Sequence, residues 1–209
     1  MRFFTRLHKA LLAAALGFVS VIALCGTCSA EALVGSQAPD FSLKDSAGND
    51  VTLSQFKGKI VVLEWFNANC PFVKKFYRNG DMQRFQSEAT AKGAAWLTIS
   101  SSAPGKSGYI PSDTAESVRS EHNMKSTALL LDSDGVAGKT YGARTTPHLF
   151  VVDAQGKVAY AGAIDNEAST DSDDIKGATN YALSSIDALA AGKPVEPATT
   201  EPYGCGVKY

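Results

Sequence analysis

The stretch Lys59-Ile-Val-Val-Leu-Glu-Trp-Phe-Asn-Ala-Asn-Cys-Pro-Phe-Val-Lys-Lys-Phe76 begins with one periodicity and ends with another. Ile60 to Leu63 form a short continuous apolar run, the pattern of a strand buried on both faces of a sheet. Aromatic and small polar residues follow, then Cys70-Pro71. After these come apolar residues at helical spacing: Phe72, Val73 and Phe76, with Met82 and Phe85 further on. Proline is tolerated at the first helical position, so Cys70 is expected at the helix N-cap. The unpaired N–H groups and the positive end of the helix dipole there stabilise a thiolate and lower the thiol pKa. Strand, cysteine, proline, helix is an arrangement for a reactive thiol.

Downstream, the pattern predicts a helix from Pro71 to about Lys92 and a buried strand over Ala94 to Ser100. A Ser-, Gly- and Pro-rich loop, Ser101 to Pro111, is long enough to rim a site. Ser112 or Asp113 caps a helix to about Asn123, and Ala128 to Leu131 read as a third buried strand. Val136 to Tyr141 read as a short helix. Thr146 to Asp153 and Lys157 to Ala163 read as a hairpin joined by Ala154-Gln155-Gly156. Asp165 to Asp174 is an acidic, Ser-rich loop expected on a solvated surface, and Ile175 to Ala191 carries apolar residues at helical spacing. Residues 192–209 contain three prolines and no periodicity, which predicts an extended tail.

Upstream, Phe41 to Lys44 and Val51 to Leu53 alternate apolar and polar around Gly48-Asn49, a hairpin. Residues 1–30 read as a secretory signal peptide. Arg2, Arg6 and Lys9 form the basic region, Ala10 to Leu24 the apolar region, and Cys28-Ser29-Ala30 the cleavage site. The apolar run of about 15 residues is shorter than the roughly 20 a bilayer span needs, so no stable membrane insertion is expected after cleavage. Removing the segment's three basic residues and no acidic one takes the formal net charge from -1 to about -4. A mildly acidic protein offers no electrostatic footprint for nucleic acid. Of four cysteines, Cys70 and Cys205 remain. An even pair in an oxidising compartment, the periplasm being the expected one, invites a disulfide or a redox couple.

The central stretch resembles the thioredoxin-fold redox proteins, and specifically their redoxin branch, the thiol-specific antioxidant (AhpC/TSA) and TlpA-like proteins. Cys70 falls where those proteins carry the first cysteine of Cys-x-x-Cys, and Val73 takes the place of the second. Glu64 falls where thioredoxins keep a buried carboxylate. Thr146-Pro147-His148 looks like the family's cis-proline segment. The resemblance implies an α/β fold with a central mixed β-sheet flanked by helices and extended by an N-terminal hairpin. It implies a redoxin domain over residues 31–191 with residues 192–209 as a tail carrying Cys205. The expected activity is thiol–disulfide exchange with protein or small-molecule thiols and disulfides, with no cofactor and no resident metal.

On this reading Cys70 is the nucleophile. Three roles are open for Cys205: resolving thiol, half of a permanent Cys70–Cys205 staple, or partner of another chain. A staple closing about 135 residues would stabilise by roughly 4–5 kcal/mol on the chain-entropy account. The resemblance makes Glu64 a buried carboxylate that accepts or delivers protons. His148 is a candidate for stabilising the Cys70 thiolate or relaying a proton, with a hydrogen-bonded strand histidine as the plain alternative. Pro147 and Thr146, with Trp65 and Pro71, are the candidate substrate-binding residues. A peroxiredoxin-like peroxidase is an alternative, although Leu63 and Asn67 stand where its Pro and Thr/Ser would precede the cysteine. A copper chaperone is a second alternative, using Cys70, Cys205 and His148 as soft ligands.

Overall fold

The structure, a computed structural model, describes residues 33–209, so the expected signal peptide lies outside the described residues. The N-terminal hairpin is present as β1 (Ser42–Asp45) and β2 (Asp50–Thr52), paired with Leu43 opposite Val51. The apolar run becomes β3 (Val61–Trp65), every residue of it buried. The single long helix read from Pro71 to Lys92 is instead two, α1 (Pro71–Arg78) and α2 (Asp81–Ala91). Gly80 has φ +85° between them, a backbone conformation a continuous helix cannot contain and glycine adopts without penalty. β4 (Ala95–Ser100) follows at its expected position, but α3 (Ala115–Glu121) starts later than read, with Thr114 and not Ser112 or Asp113 at its N-cap, while β5 (Ala128–Leu131) and α4 (Val136–Tyr141) lie where expected. A two-residue β6 (Thr145–Thr146) precedes β7 (His148–Val152) and β8 (Val158–Gly162). The helix read from Ile175 starts later, as α5 (Tyr181–Ala190). Asn180 caps it by accepting the Leu183 N–H at 2.9 Å, and Ser172–Lys176 form a separate 3-10 turn.

Seven strands form one sheet in the order β2-β1-β5-β4-β3-β7-β8, with β3, β4 and β5 parallel and the other neighbours antiparallel. Neighbouring residues of β3 point to opposite faces. Val62 joins Phe76, Met82, Phe85, Trp96 and Ile186 under α1, α2 and α5. Val61, Leu63 and Trp65 join Leu97, Ile99, Tyr141 and Phe150 on the other face. Each such large side chain, removed from water, contributes about 1.5–3 kcal/mol. Two packed faces explain why β3 reads as an unbroken apolar run.

The tail is extended, as its prolines require, but it lies on the domain. Thr199 bridges Ala161 beside β8, and the chain then crosses to form β9 (Cys205–Gly206) against β6. One further expectation changes. Asp165, read as part of a solvated loop, is buried, and so is Lys75 of α1. They face each other at 3.8 Å.

Candidate active site

The end of β3 and the turn through Asn67 deliver Cys70 to the N-cap of α1, with Pro71 at the first helical position. Backbone bonds from Cys70 N–H to the Asn67 carbonyl (3.0 Å) and from Lys74 N–H to the Cys70 carbonyl (2.9 Å) fix that corner. The thiol donates to the carbonyl of Thr146 at 3.0 Å. Thr146 precedes Pro147 through a cis peptide bond, so the proline segment expected beside the cysteine lies there. Cys70 is only 1 % exposed, while Pro71 next to it is exposed and forms the rim.

Thr146 also pairs directly with Cys205 across the β6–β9 ladder, which brings together two cysteines far apart in sequence, both as free thiols. Their acidities diverge. Burial pushes the Cys70 thiol up. Hydrogen bonds to its sulfur from the Thr146 and Cys205 side chains and from the Cys205 and Val73 N–H groups outweigh that, and its pKa falls below the ordinary thiol value. Cys205 is pushed up to about 11, by burial first and then by donating to Cys70 and feeling its charge, with Lys208 opposing. Of the two, Cys70 is the thiol that gives up its proton first and Cys205 the one that keeps it longer.

Glu64 is wholly buried on the same face of the sheet as Cys70. Its carboxylate accepts from Trp96 Nε1 (2.8 Å), Tyr77 Oη (2.9 Å), Thr98 Oγ1 (3.0 Å) and Gln86 Nε2 (3.3 Å). Burial raises its pKa, and the bonds from Trp96, Tyr77, Thr98 and Gln86 restrain the rise without cancelling it. Tyr77 belongs to α1, so the carboxylate anchors the helix that carries Cys70. The four donors come from α1, α2 and β4, and nothing in the local sequence around Glu64 points to them.

Two candidates sit elsewhere. In β7, His148 pairs with Trp65 and so shares its face, opposite to that of Glu64. Its Nδ1 accepts the Arg144 N–H at 3.2 Å, and its ring packs on Phe150 at 4.6 Å. Burial, aided by the Arg144 charge, lowers its pKa to about 3. A neutral imidazole across the sheet has no contact through which to stabilise the Cys70 thiolate. Trp65 is fully buried on that same face, donating to Ser101 Oγ at 3.0 Å and packed on Tyr141 and Phe150, so it lines no substrate surface. The copper ligand set loses its histidine for the same reason, and no group of three or more metal-binding side chains occurs among the described residues.

The loop read as a rim does reach the site. Asn67 Nδ2 donates to the Ser107 carbonyl at 3.0 Å, and Ala103 N–H donates to the carbonyl of Lys208 in the tail at 2.8 Å. Arg144 is exposed and paired with Glu201 at 3.1 Å.

The AhpC/TSA family model matches residues 34–161, which include β3, Cys70 and the cis-proline but end before the tail. The thiol–disulfide oxidoreductase ResA of Bacillus subtilis (strain 168) is 29 % identical over 131 residues, 59 % of this chain and 64 % of ResA. The chain therefore spans a little under two thirds of that curated relative. An uncharacterized conserved protein from Geobacillus kaustophilus superposes with a TM-score of 0.71 at 25 % identity, covering 85 % of this chain and 93 % of that one. Peroxidoxin BcpB from Mycobacterium tuberculosis, with a TM-score of 0.54 at 22 % identity over 75 % of this chain and 97 % of its own, shares the fold.

Proposed function

Because the chain belongs to the AhpC/TSA family, we propose that it is an exported thiol–disulfide oxidoreductase with Cys70 as nucleophile and Cys205 as resolving thiol. The observation that carries this reading is the pairing of Cys205 with Thr146, whose carbonyl accepts the Cys70 thiol. In the first step the Cys70 thiolate attacks one sulfur of a substrate disulfide. A Cys70–substrate bond forms, the substrate S–S bond breaks, and the other substrate sulfur leaves as a thiolate. Cys70 has then lost its charge, which removes one of the causes holding the Cys205 proton. Cys205 deprotonates and attacks Cys70, the Cys70–Cys205 bond forms, and the second substrate thiolate leaves. The two departing thiolates take up the two protons lost from Cys70 and Cys205. One substrate disulfide is reduced and one dithiol of this chain is oxidised.

Glu64 is the candidate proton reservoir, its raised pKa and its bond to Tyr77 coupling it to α1. Thr146, Pro147 and Pro71 are the candidate substrate contacts. His148 and Trp65 have no part in this scheme. Export to the periplasm rests on the signal pattern of residues 1–30, and no helix among the described residues is long and apolar enough to cross a membrane. A peroxidase reading lacks its hydroxyl, since Asn67 stands in that place and is engaged by Ser107 and Asn69.

Mass spectrometry of thiol-trapped protein, equilibrated in glutathione buffers of graded potential, tests the scheme. The expected result is a Cys70–Cys205 bond that opens within reach of biological thiols. A bond resisting reduction below about -300 mV makes it a staple, and two free thiols at every potential end the proposal.

A further inference from the structure

The last eleven residues are fastened at both ends of their path. At the start, Thr200 N–H donates to the Ala161 carbonyl (3.2 Å), and Thr200 Oγ1 accepts the Ala163 N–H (2.9 Å). At the end, Val207 N–H donates to the Arg144 carbonyl (3.0 Å) and the Tyr209 hydroxyl to the Ala143 carbonyl (2.7 Å). Between these fastenings the strand lies so close to Thr146 that a Cβ on Gly204 would meet the Thr146 oxygen at 2.1 Å, and Gly204 itself has φ +128°. The edge beside the cis-proline is therefore filled by this chain's own Cys205–Gly206, and Cys70 is sealed beneath it.

Tyr203 stands at the centre of the strap. Its ring meets the edge of Phe72 on α1 at 5.8 Å, and its hydroxyl donates to Asp165 Oδ1. Asp165 is 2 % exposed. Its second oxygen has no hydrogen-bond partner and faces the Lys75 ammonium at 3.8 Å. Lys75 lies on α1, five residues past Cys70, and donates to the Glu167 carbonyl at 2.8 Å. The helix that begins at Cys70 and the tail that carries Cys205 are thus joined through Lys75, Asp165 and Tyr203, independently of the two sulfurs.

We propose that Tyr203, held by Asp165, is the positioning residue that keeps Cys205 on Cys70 and closes the Thr146 edge. An extended segment of a partner protein reaches Cys70 only when this strap lifts, by taking the strand position β9 now occupies. The gating role rests on Cys70 being the reactive thiol. The latch itself is a property of the reduced protein and is measured there.

The test compares wild type with Tyr203→Phe, which keeps the ring on Phe72 and removes only the hydroxyl. Fully reduced full-length protein is treated with iodoacetamide and the modified cysteines are identified by mass. The expected result is a rise of about tenfold in the rate at Cys70, the effect of one lost hydrogen bond on strap opening, with the thermal midpoint lowered by only a few degrees. The equilibrium constant for closing Cys70–Cys205 against glutathione should fall by a similar factor, a readout that general loosening of the fold does not move. An unchanged Cys70 rate overturns the latch. If the rate rises but no Cys70–Cys205 bond forms in either protein, the latch stands and the resolving role falls. Should Tyr203→Phe not fold, amide exchange of the wild type decides. Val207 N–H exchanging faster than the amides of β3 supports a strap that opens by itself. Equal rates overturn it.

Discussion

A thiol's usefulness depends on which protonation state its surroundings favour, and the two cysteines here are driven apart by each other. Cys70 collects donors from Thr146, Cys205 and two backbone N–H groups, whereas Cys205 is one of those donors. Thiolate absorbance against pH should therefore show two well-separated steps, the first below the ordinary thiol value of about 8.5 and the second near 11. Cys70→Ser should abolish the first step and bring the second down, since the acceptor and charge that hold the Cys205 proton are gone. His148→Gln should leave both steps where they are, because the imidazole is neutral and on the other face of the sheet. A single step near 8.5 would contradict this account of the pair.

Among the elements, β3 matters most because it serves both faces. Its odd residues pack one core and its even residues the other, and Glu64 is the polar exception on the even side. Four donors from α1, α2 and β4 converge on that carboxylate, so it ties together the elements that hold Cys70. Its pKa is raised in the folded state, so the native protein holds this proton more tightly than the unfolded chain does. The resulting stabilisation is fully present below the unfolded value of about 4.3 and is lost as pH rises through the folded pKa. Urea unfolding across that window should show this loss in wild type, and Glu64→Gln, which cannot ionise, should lack it. The same slope in both proteins would place the titration elsewhere. The break between α1 and α2 at Gly80 belongs to this scale too, since it lets Tyr77 and Gln86 approach one carboxylate from two helices.

At the scale of the molecule, the segment after β8 and the tail close over α1 through a buried ion pair. Lys75→Met should cost about 3–5 kcal/mol in chemical denaturation, because it strands a buried carboxylate without its cation. Adding Asp165→Asn should recover part of that loss, and strictly additive costs would mean the two groups do not interact.

The fold was legible in the sequence because it rests on local patterns. The apolar run of β3, Cys70-Pro71 at a helix start, and the hairpins around Gly48-Asn49 and Gln155-Gly156 each carry their own periodicity or turn chemistry. Cys70 was legible for the same reason, since an N-cap is a property of neighbours in the chain. The Glu64 donors, the Lys75–Asp165 pair and the docking of Tyr203 were not, because each joins residues distant in sequence and leaves no periodic mark. Asp165 and Lys75 look like surface charges until the folded chain puts each where the other is its partner. His148 and Trp65 adjoin the cis-proline and Glu64 in sequence, yet pairing in register turns both to the far face. Sequence alone determined which thiol could be activated, through helix start and strand periodicity. Only tertiary structure decided which groups surround it, because side-chain direction across a sheet and the path of an aperiodic tail are set by long-range pairing.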